Sequence, residues 1–191
     1  MRTRPRVQGS TLHAVVHYPH LSSGGFSQFR RKYDPYSELI AEHLTLVFPV
    51  PVSLEVIRAH VQTVARKFRP FDIHIAGLRK TWDHWMYLGL EEGNEEFIAL
   101  HDQLYTGPLE QYVRTDLVFE PHIGLGFFGT EAFDPLDPQL VELDTEPFEQ
   151  ARGEAAELGI DEWRRVETLT IVRFNAGLDT HKDVAALSLG S

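Results

Sequence analysis

The sequence predicts an α+β fold of two comparable lobes around a shared groove, and three observations carry that prediction. Strand-like and helix-like periodicities interleave along the chain. Several successive strands are joined by turns too short for a parallel crossover, which forces antiparallel pairing. The first half reads strand, helix, strand, strand, and the second half reads helix, strand, helix, strand. At 191 residues and 42% hydrophobic the chain has apolar material for one sizeable core, and no linker divides it. A single domain over 1–191, with its core over about 11–174, is expected.

Residues 11–17 (TLHAVVH) are rich in β-formers and end near Pro19, which marks a first strand. Residues 21–26 read as a mobile Ser/Gly loop. After the basic run Arg30-Arg31-Lys32 and the turn signal Tyr33-Asp34-Pro35, a short helical piece is expected over 36–42. A strand over 43–48 follows, closed by Pro49 and Pro51. Ser53 stands where an N-cap belongs, and Leu54, Ile57, Val61, Val64, Ala65 and Phe68 recur at helical spacing up to Pro70. Residues 71–78 and 84–90 alternate with a period near two and read as paired strands. Asn94 can cap a helix over 95–105. Residues 121–128 (PHIGLGFF) are strand-like, with Gly124 and Gly126 marking close approach of another backbone or a ligand. A polar, Pro-broken stretch leads to Glu146, a helix over 147–158 stops at Gly159, and 162–174 reads as one long final strand. The tail, 175–191, has too little periodicity to place.

Charge and composition narrow the function. With 18 Lys+Arg against 28 Asp+Glu the formal charge is -10, so the phosphate-neutralising surface of a duplex-DNA binder is missing, and small ligands or short nucleic-acid ends fit better. The absence of cysteine excludes disulfides, thiolate zinc sites and a cysteine nucleophile, and suits the cytoplasm. The basic N-terminus holds an apolar run of only about five residues, too short for a signal-peptide core or a membrane span. A soluble, unprocessed monomer with no membrane partner is expected.

Side chains alternate faces along a strand. On the strand over 43–48, Leu44, Leu46 and Phe48 are apolar and form the core face, which leaves His43, Thr45 and Val47 on the other. On the strand after Pro121 the same rule puts Ile123, Leu125 and Phe127 in the core and His122, Gly124 and Gly126 opposite. Two strands thus each present a histidine at the start of the non-core face. The only other His-x-Ser/Thr match, His20-Leu21-Ser22, falls in the Ser/Gly loop rather than on a strand.

The segment His43-Leu44-Thr45-Leu46 flanked by Phe48-Pro49, preceded by Tyr33-Asp34-Pro35 and followed by Pro121-His122-Ile123-Gly124-Leu125, resembles the 2H phosphoesterase superfamily, in its 2′-5′ RNA ligase-like branch. The resemblance covers roughly residues 11–174. It implies two pseudo-symmetric lobes of antiparallel sheet with outer helices around a central groove, in which two His-x-Ser/Thr-x motifs meet. It implies hydrolysis, or ligation, of a 2′,3′-cyclic phosphate or a 2′-5′ phosphodiester in a nucleotide or RNA end, with no metal and no cofactor. His43 and His122 would be the catalytic acid and base, since ordinary imidazoles near a pKa of ~6.5 can serve as either at neutral pH. Thr45 would donate to a phosphoryl oxygen. Gly124 stands where the second motif has its hydroxyl, so only its backbone N–H remains there.

Other groups enter by alternation. Trp85 and Tyr87 fall on the face away from Met86 and Leu88, where an aromatic ring can stack on a base, and Tyr87 joins the substrate-binding candidates. Arg30, Arg31 and Lys32 either steer an anionic ligand or form a solvated basic patch. Two functions stand side by side: a metal-independent phosphoesterase, and a non-hydrolytic protein of the same fold that binds a nucleotide or RNA end.

Overall fold

The computed structural model describes residues 11–115, 117–132 and 141–190. The basic N-terminal residues and the middle of the Pro-broken stretch lie outside them. In chain order the elements are β1 (Leu12–His17), α1 (Phe26–Tyr33), β2 (Leu44–Val50), α2 (Leu54–Ala65), β3 (Phe71–Lys80) and β4 (Trp85–Glu92). There follow α3 (Asn94–Leu104), a 3-10 helix (Gly107–Tyr112), β5 (Ile123–Phe127), α4 (Thr145–Leu158), β6 (Glu162–Val166), β7 (Thr168–Phe174) and β8 (His181–Ser188).

All eight strands join one antiparallel sheet in the order β6-β3-β4-β5-β2-β1-β7-β8. The α+β class with antiparallel pairing is therefore the one present. The sheet divides into two sets of four strands that meet at β5 and β2, where the ladder consists of the single pair Leu44↔Ile123. Only Glu167 separates β6 from β7, although these are the first and seventh strands of the sheet. Since a residue advances the chain by at most ~3.6 Å, the sheet must curl until its two ends approach. Backbone bonds from Leu189 N to Glu167 O (2.8 Å) and from Gly190 N to Ala65 O (3.0 Å) tie that seam.

The four helices lay their apolar stripes on one face of this sheet. Ile57, Val61 and Val64 of α2, and Phe97, Leu100 and Leu104 of α3, pack with Leu44, Leu46, Ile73, Ile75, Met86, Leu90, Ile123 and Leu125 into one core. Burial of each such side chain contributes on the order of 1.5–3 kcal/mol. On the opposite face a smaller cluster forms over β1 and β7, where Ile40 and Leu178 cover Val16, Val172 and Phe174. The histidine positions lie on this second face, next to that cluster. No helix among the described residues is long and apolar enough to cross a membrane.

Several local expectations are corrected. The helix near residue 36 lies earlier, as α1, while 36–40 is a run of turns; Phe26 and Phe29 drive α1 into the core, and Arg30, Arg31 and Lys32 favour its C-terminal end. Gly93, with φ of 88°, rather than Asn94, caps α3. The 3-10 helix had no periodic signal. The Ser/Gly loop is pinned, since Ser22 and Ser23 donate backbone N–H bonds of 3.0 and 2.8 Å to the Glu162 carboxylate. The long final strand is interrupted at Glu167, because its first part pairs with β3 and its second with β1. The tail supplies β8, an edge strand whose weak apolar pattern reflects its exposure.

Alternation fails where strands bulge. Register shifts in the β1–β2 ladder reverse the phase after Leu46, so Val47 is fully buried and Phe48 is 44% exposed. A shift in the β4–β5 ladder likewise puts Phe128 rather than Phe127 in the core.

Candidate active site

The Leu44↔Ile123 pair fixes the site. One step out on either side, antiparallel register sets His43 opposite Gly124 and Thr45 opposite His122, and directly opposed residues share a face. The four positions form a square on the helix-free face, with the two histidines on one diagonal. Diagonal neighbours stand about 7–8 Å apart, within reach of one phosphate between their rings. Both histidines and Thr45 are half-buried.

Each histidine precedes its strand by one residue and folds back on its own chain. The Nδ1–H of His43 donates to the Ala41 carbonyl at 2.8 Å, and that of His122 donates to the Glu120 carbonyl at 2.6 Å. A carbonyl can only accept, so Nδ1 carries a hydrogen in both rings, and whichever ring is neutral has its lone pair on Nε2. The two imidazoles thus share one bonding pattern and stand on the same face of the sheet. Burial pushes the His43 pKa down to about 4 despite the Ala41 bond, and the charges of Arg30, His122 and His181 add to the effect. At that pKa the His43 ring is neutral over the physiological range.

The surroundings of the two differ. Next to His43, the Tyr18 ring stands edge-on with centroids 6.5 Å apart, and its hydroxyl donates to Asp183 Oδ1 at 3.0 Å. Burial, then Asp183, raises the Tyr18 pKa. Next to His122, the Tyr87 ring lies 5.0 Å away, with Tyr87 itself paired to Gly124 across β4–β5. Burial, then the nearby Glu120 carboxylate, pushes the Tyr87 pKa up to about 12. At 4% exposure its ring is engaged with His122. Trp85 stacks on Tyr36 at 6.3 Å and lies against Gly124.

The two glycines of β5 have different causes. A Cβ on Gly126 would sit 2.7 Å from Tyr33 Cβ and 3.0 Å from the Tyr33 carbonyl, so close approach of the end of α1 demands glycine there. A Cβ on Gly124 would meet only Trp85 ring carbons at 3.6 Å, an ordinary contact. The fold leaves room at 124.

The basic run is no patch. Arg30 is 5% exposed, its Nε donates to Asp34 at 2.9 Å and its Nη2 to the Ile40 carbonyl at 3.1 Å, while Lys32 pairs with Glu154 at 2.7 Å. Asp34 Oδ1 also accepts from Tyr36 N at 2.8 Å. The Tyr-Asp-Pro turn thus shapes the loop that delivers His43. Sequence reasoning passed over Tyr18, Asp183, Arg79 and Glu120. For Tyr18 a signal existed, one residue beyond the first strand on the parity of Val16; for Asp183, in an unplaced tail, there was none.

Comparisons with known proteins agree with this geometry. A family model described as the 2′-5′ RNA ligase superfamily matches residues 18–170. A Bacillus licheniformis protein, named only provisionally as a phosphoesterase, is 29% identical over 102 residues, 51% of this chain and 59% of that protein, so less than two thirds of the relative is spanned. Among solved structures, TT0787 of Thermus thermophilus superposes with a TM-score of 0.58 at 17% identity, covering 95% of this chain and 98% of its own. E. coli LigT complexed with 3′-AMP gives a TM-score of 0.57 at 17% identity over 96% and 99% of the two chains. These two show likeness of fold. The family match includes both histidine strands and most of the sheet between them, and the chain belongs to the 2′-5′ RNA ligase superfamily of 2H phosphoesterases.

Proposed function

We propose that this chain is a metal-independent phosphodiesterase that opens 2′,3′-cyclic phosphates, or cleaves 2′-5′ linkages, in nucleotides or RNA ends. The observation that carries the reading is the diagonal pair of histidines on one face of the sheet, whose Nδ1–H groups are both tied back to the carbonyl two residues earlier. His43, neutral through burial, is the base. Its Nε2 takes a proton from water as the water oxygen attacks phosphorus in line. The bond from phosphorus to the leaving ribose oxygen breaks, and that oxygen receives a proton from Nε2 of His122, which enters the step as imidazolium and leaves it neutral with its proton on Nδ1. Proton exchange between the histidines and solvent restores the starting state. Thr45, beside His122, donates its hydroxyl to a phosphoryl oxygen, while Gly124 offers no side-chain donor beside His43. Nucleotide chemistry is supported by the 3′-AMP held in the similar fold of E. coli LigT.

The missing donor at Gly124 supports a second reading, a protein that binds a nucleotide or RNA end without turning it over. Incubation with a panel of 2′,3′-cyclic nucleotides, with and without EDTA, separates the two. Hydrolysis that survives EDTA is expected. Binding without hydrolysis would favour the second reading, and activity lost to EDTA but restored by a divalent ion would replace the metal-independent mechanism.

A further inference from the structure

The segment that leads into β5 has little regular structure to hold it, yet it supplies the carbonyl that orients His122. Val118 is 96% exposed. Phe119 stacks on His101 with centroids 3.8 Å apart, and Glu120 does two things at once. Its backbone carbonyl accepts the His122 Nδ1–H at 2.6 Å, and its carboxylate accepts from Arg79 Nη1 at 2.7 Å close to the Tyr87 hydroxyl. Tyr87 in turn packs its ring against His122.

The sheet is cut away to admit Arg79. Extending the Leu88↔Ile123 register by one residue sets Gly89 opposite His122, and a Cβ on Gly89 would lie 3.0 Å from the Arg79 guanidinium carbon. On the guanidinium's other side Glu91 accepts from Nη2 at 3.3 Å, and a Cβ on Gly77, whose φ is +82°, would fall 2.7 Å from that carboxylate. Gly89 therefore keeps clear the path of the arginine across β4, while Gly77 stands at a bulge of β3 whose positive φ itself favours glycine. Stability does not account for this, because half-exposed ion pairs such as Arg79 with Glu120 and Glu91 contribute little to folding. The arrangement converges instead on one carbonyl and one ring.

We infer that Glu120 is a positioning residue for His122: its carboxylate, clamped by Arg79, holds the Glu120 carbonyl in place and so keeps the Nδ1–H form of the neutral His122 ring and sets where Nε2 points. Burial alone would raise the Glu120 pKa, but Arg79 and Tyr87 outweigh it and keep the clamp charged. The role rests on the reading of His122 as the group that protonates the leaving oxygen.

The test reads the tautomer directly. In histidine-labelled full-length protein at about pH 8, where an ordinary imidazole is neutral, long-range 1H–15N correlations report the protonated nitrogen of His122 and of His43 separately. Glu120→Ala leaves the backbone carbonyl present but unclamped. It should move His122 from the Nδ1–H form to a mixture of tautomers while His43 is unchanged, and Arg79→Met should do the same. Turnover of a 2′,3′-cyclic nucleotide should fall about 10- to 100-fold with KM nearly constant, the scale of a misaligned catalytic group. Glu120→Gln, whose amide oxygen still accepts from Arg79, should recover most of both readouts. An unchanged His122 tautomer in Glu120→Ala would overturn the assignment, as would an equal disturbance of His43. Inactivity of the parent protein on every cyclic nucleotide would overturn the catalytic reading and leave the tautomer experiment able to decide the positioning role by itself.

Discussion

The loops that deliver His43 and His122 reach the same result by different means. In both, the histidine donates Nδ1–H to the carbonyl two residues earlier, and in both an arginine secures the segment that holds that carbonyl. On the His43 side the arginine is Arg30, buried against Asp34 and bonded to the Ile40 carbonyl, next to Ala41. On the His122 side it is Arg79, about two-fifths exposed and acting through the Glu120 side chain. The tyrosines also differ. Tyr18 lies directly beside His43 in the β1–β2 register, whereas Tyr87 lies opposite Gly124, two residues from Gly89, which faces His122. Similar imidazole geometry therefore rests on a buried anchor that the fold needs and an exposed anchor that the fold can lose.

The largest expected effect tests the equivalence of the two rings. His43→Ala and His122→Ala should each lower turnover of a cyclic phosphate about 10²- to 10⁴-fold, the usual contribution of a general acid or base. Undiminished turnover in either variant would end the two-histidine account.

The anchors should then separate. Arg30→Met strands a buried Asp34 carboxylate and should cost about 3–5 kcal/mol in urea unfolding. Arg79→Met removes only half-exposed pairs and should cost less than about 1 kcal/mol. Equal losses would erase the contrast between a structural and a positioning arginine.

A finer comparison lies within β5. Gly126→Ala forces a Cβ into the end of α1 and should destabilise by about 1–3 kcal/mol. Gly124→Thr meets only the Trp85 ring, suits a strand, and should alter stability by no more than about 0.5 kcal/mol. It adds a hydroxyl opposite His43, so faster cyclic-phosphate turnover is expected. Weaker nucleotide binding in the folded variant would show instead that ligand occupies that space.

A last comparison concerns pH. Below its ordinary pKa of 6.5 the unfolded chain binds a proton that folded His43 refuses until about pH 4, so stability should fall as pH drops through that window. The contribution near pH 5.5 is on the order of 1 kcal/mol. His43→Asn should flatten the slope measured by thermal unfolding, though incompletely, because burial also lowers the pKa of His17. An unchanged slope would mean that the ring is better hydrated than its surroundings indicate.

Local pattern was enough for most elements. The α2 stripe with Ser53 as its cap, the β3–β4 pair, and the stop of α4 at Gly159 follow from periodicity and capping, which depend on residues a few positions apart. Elements were lost where the deciding partner is distant. The helix α1 hides its apolar positions among charges, and β8 has strand form only because β7 supplies a ladder. The phase of β2 and β5 beyond the bulges depends on which neighbour is paired, so Phe48 and Phe127 were assigned to the wrong face.

The sequence by itself determined that a histidine stands at the entrance of each of two strands, on the face away from the core, because strand alternation and the placement of leucines and isoleucines are local properties. Only the tertiary structure decided how those strands meet. The Leu44↔Ile123 register places Gly124 beside His43 and Thr45 beside His122, opposite to the grouping within each motif, so the donor missing from the second motif is missing next to the first histidine. Register between strands nearly eighty residues apart is set by the packing of both against a common core and by bulges in their outer neighbours, and no pattern within either strand encodes it.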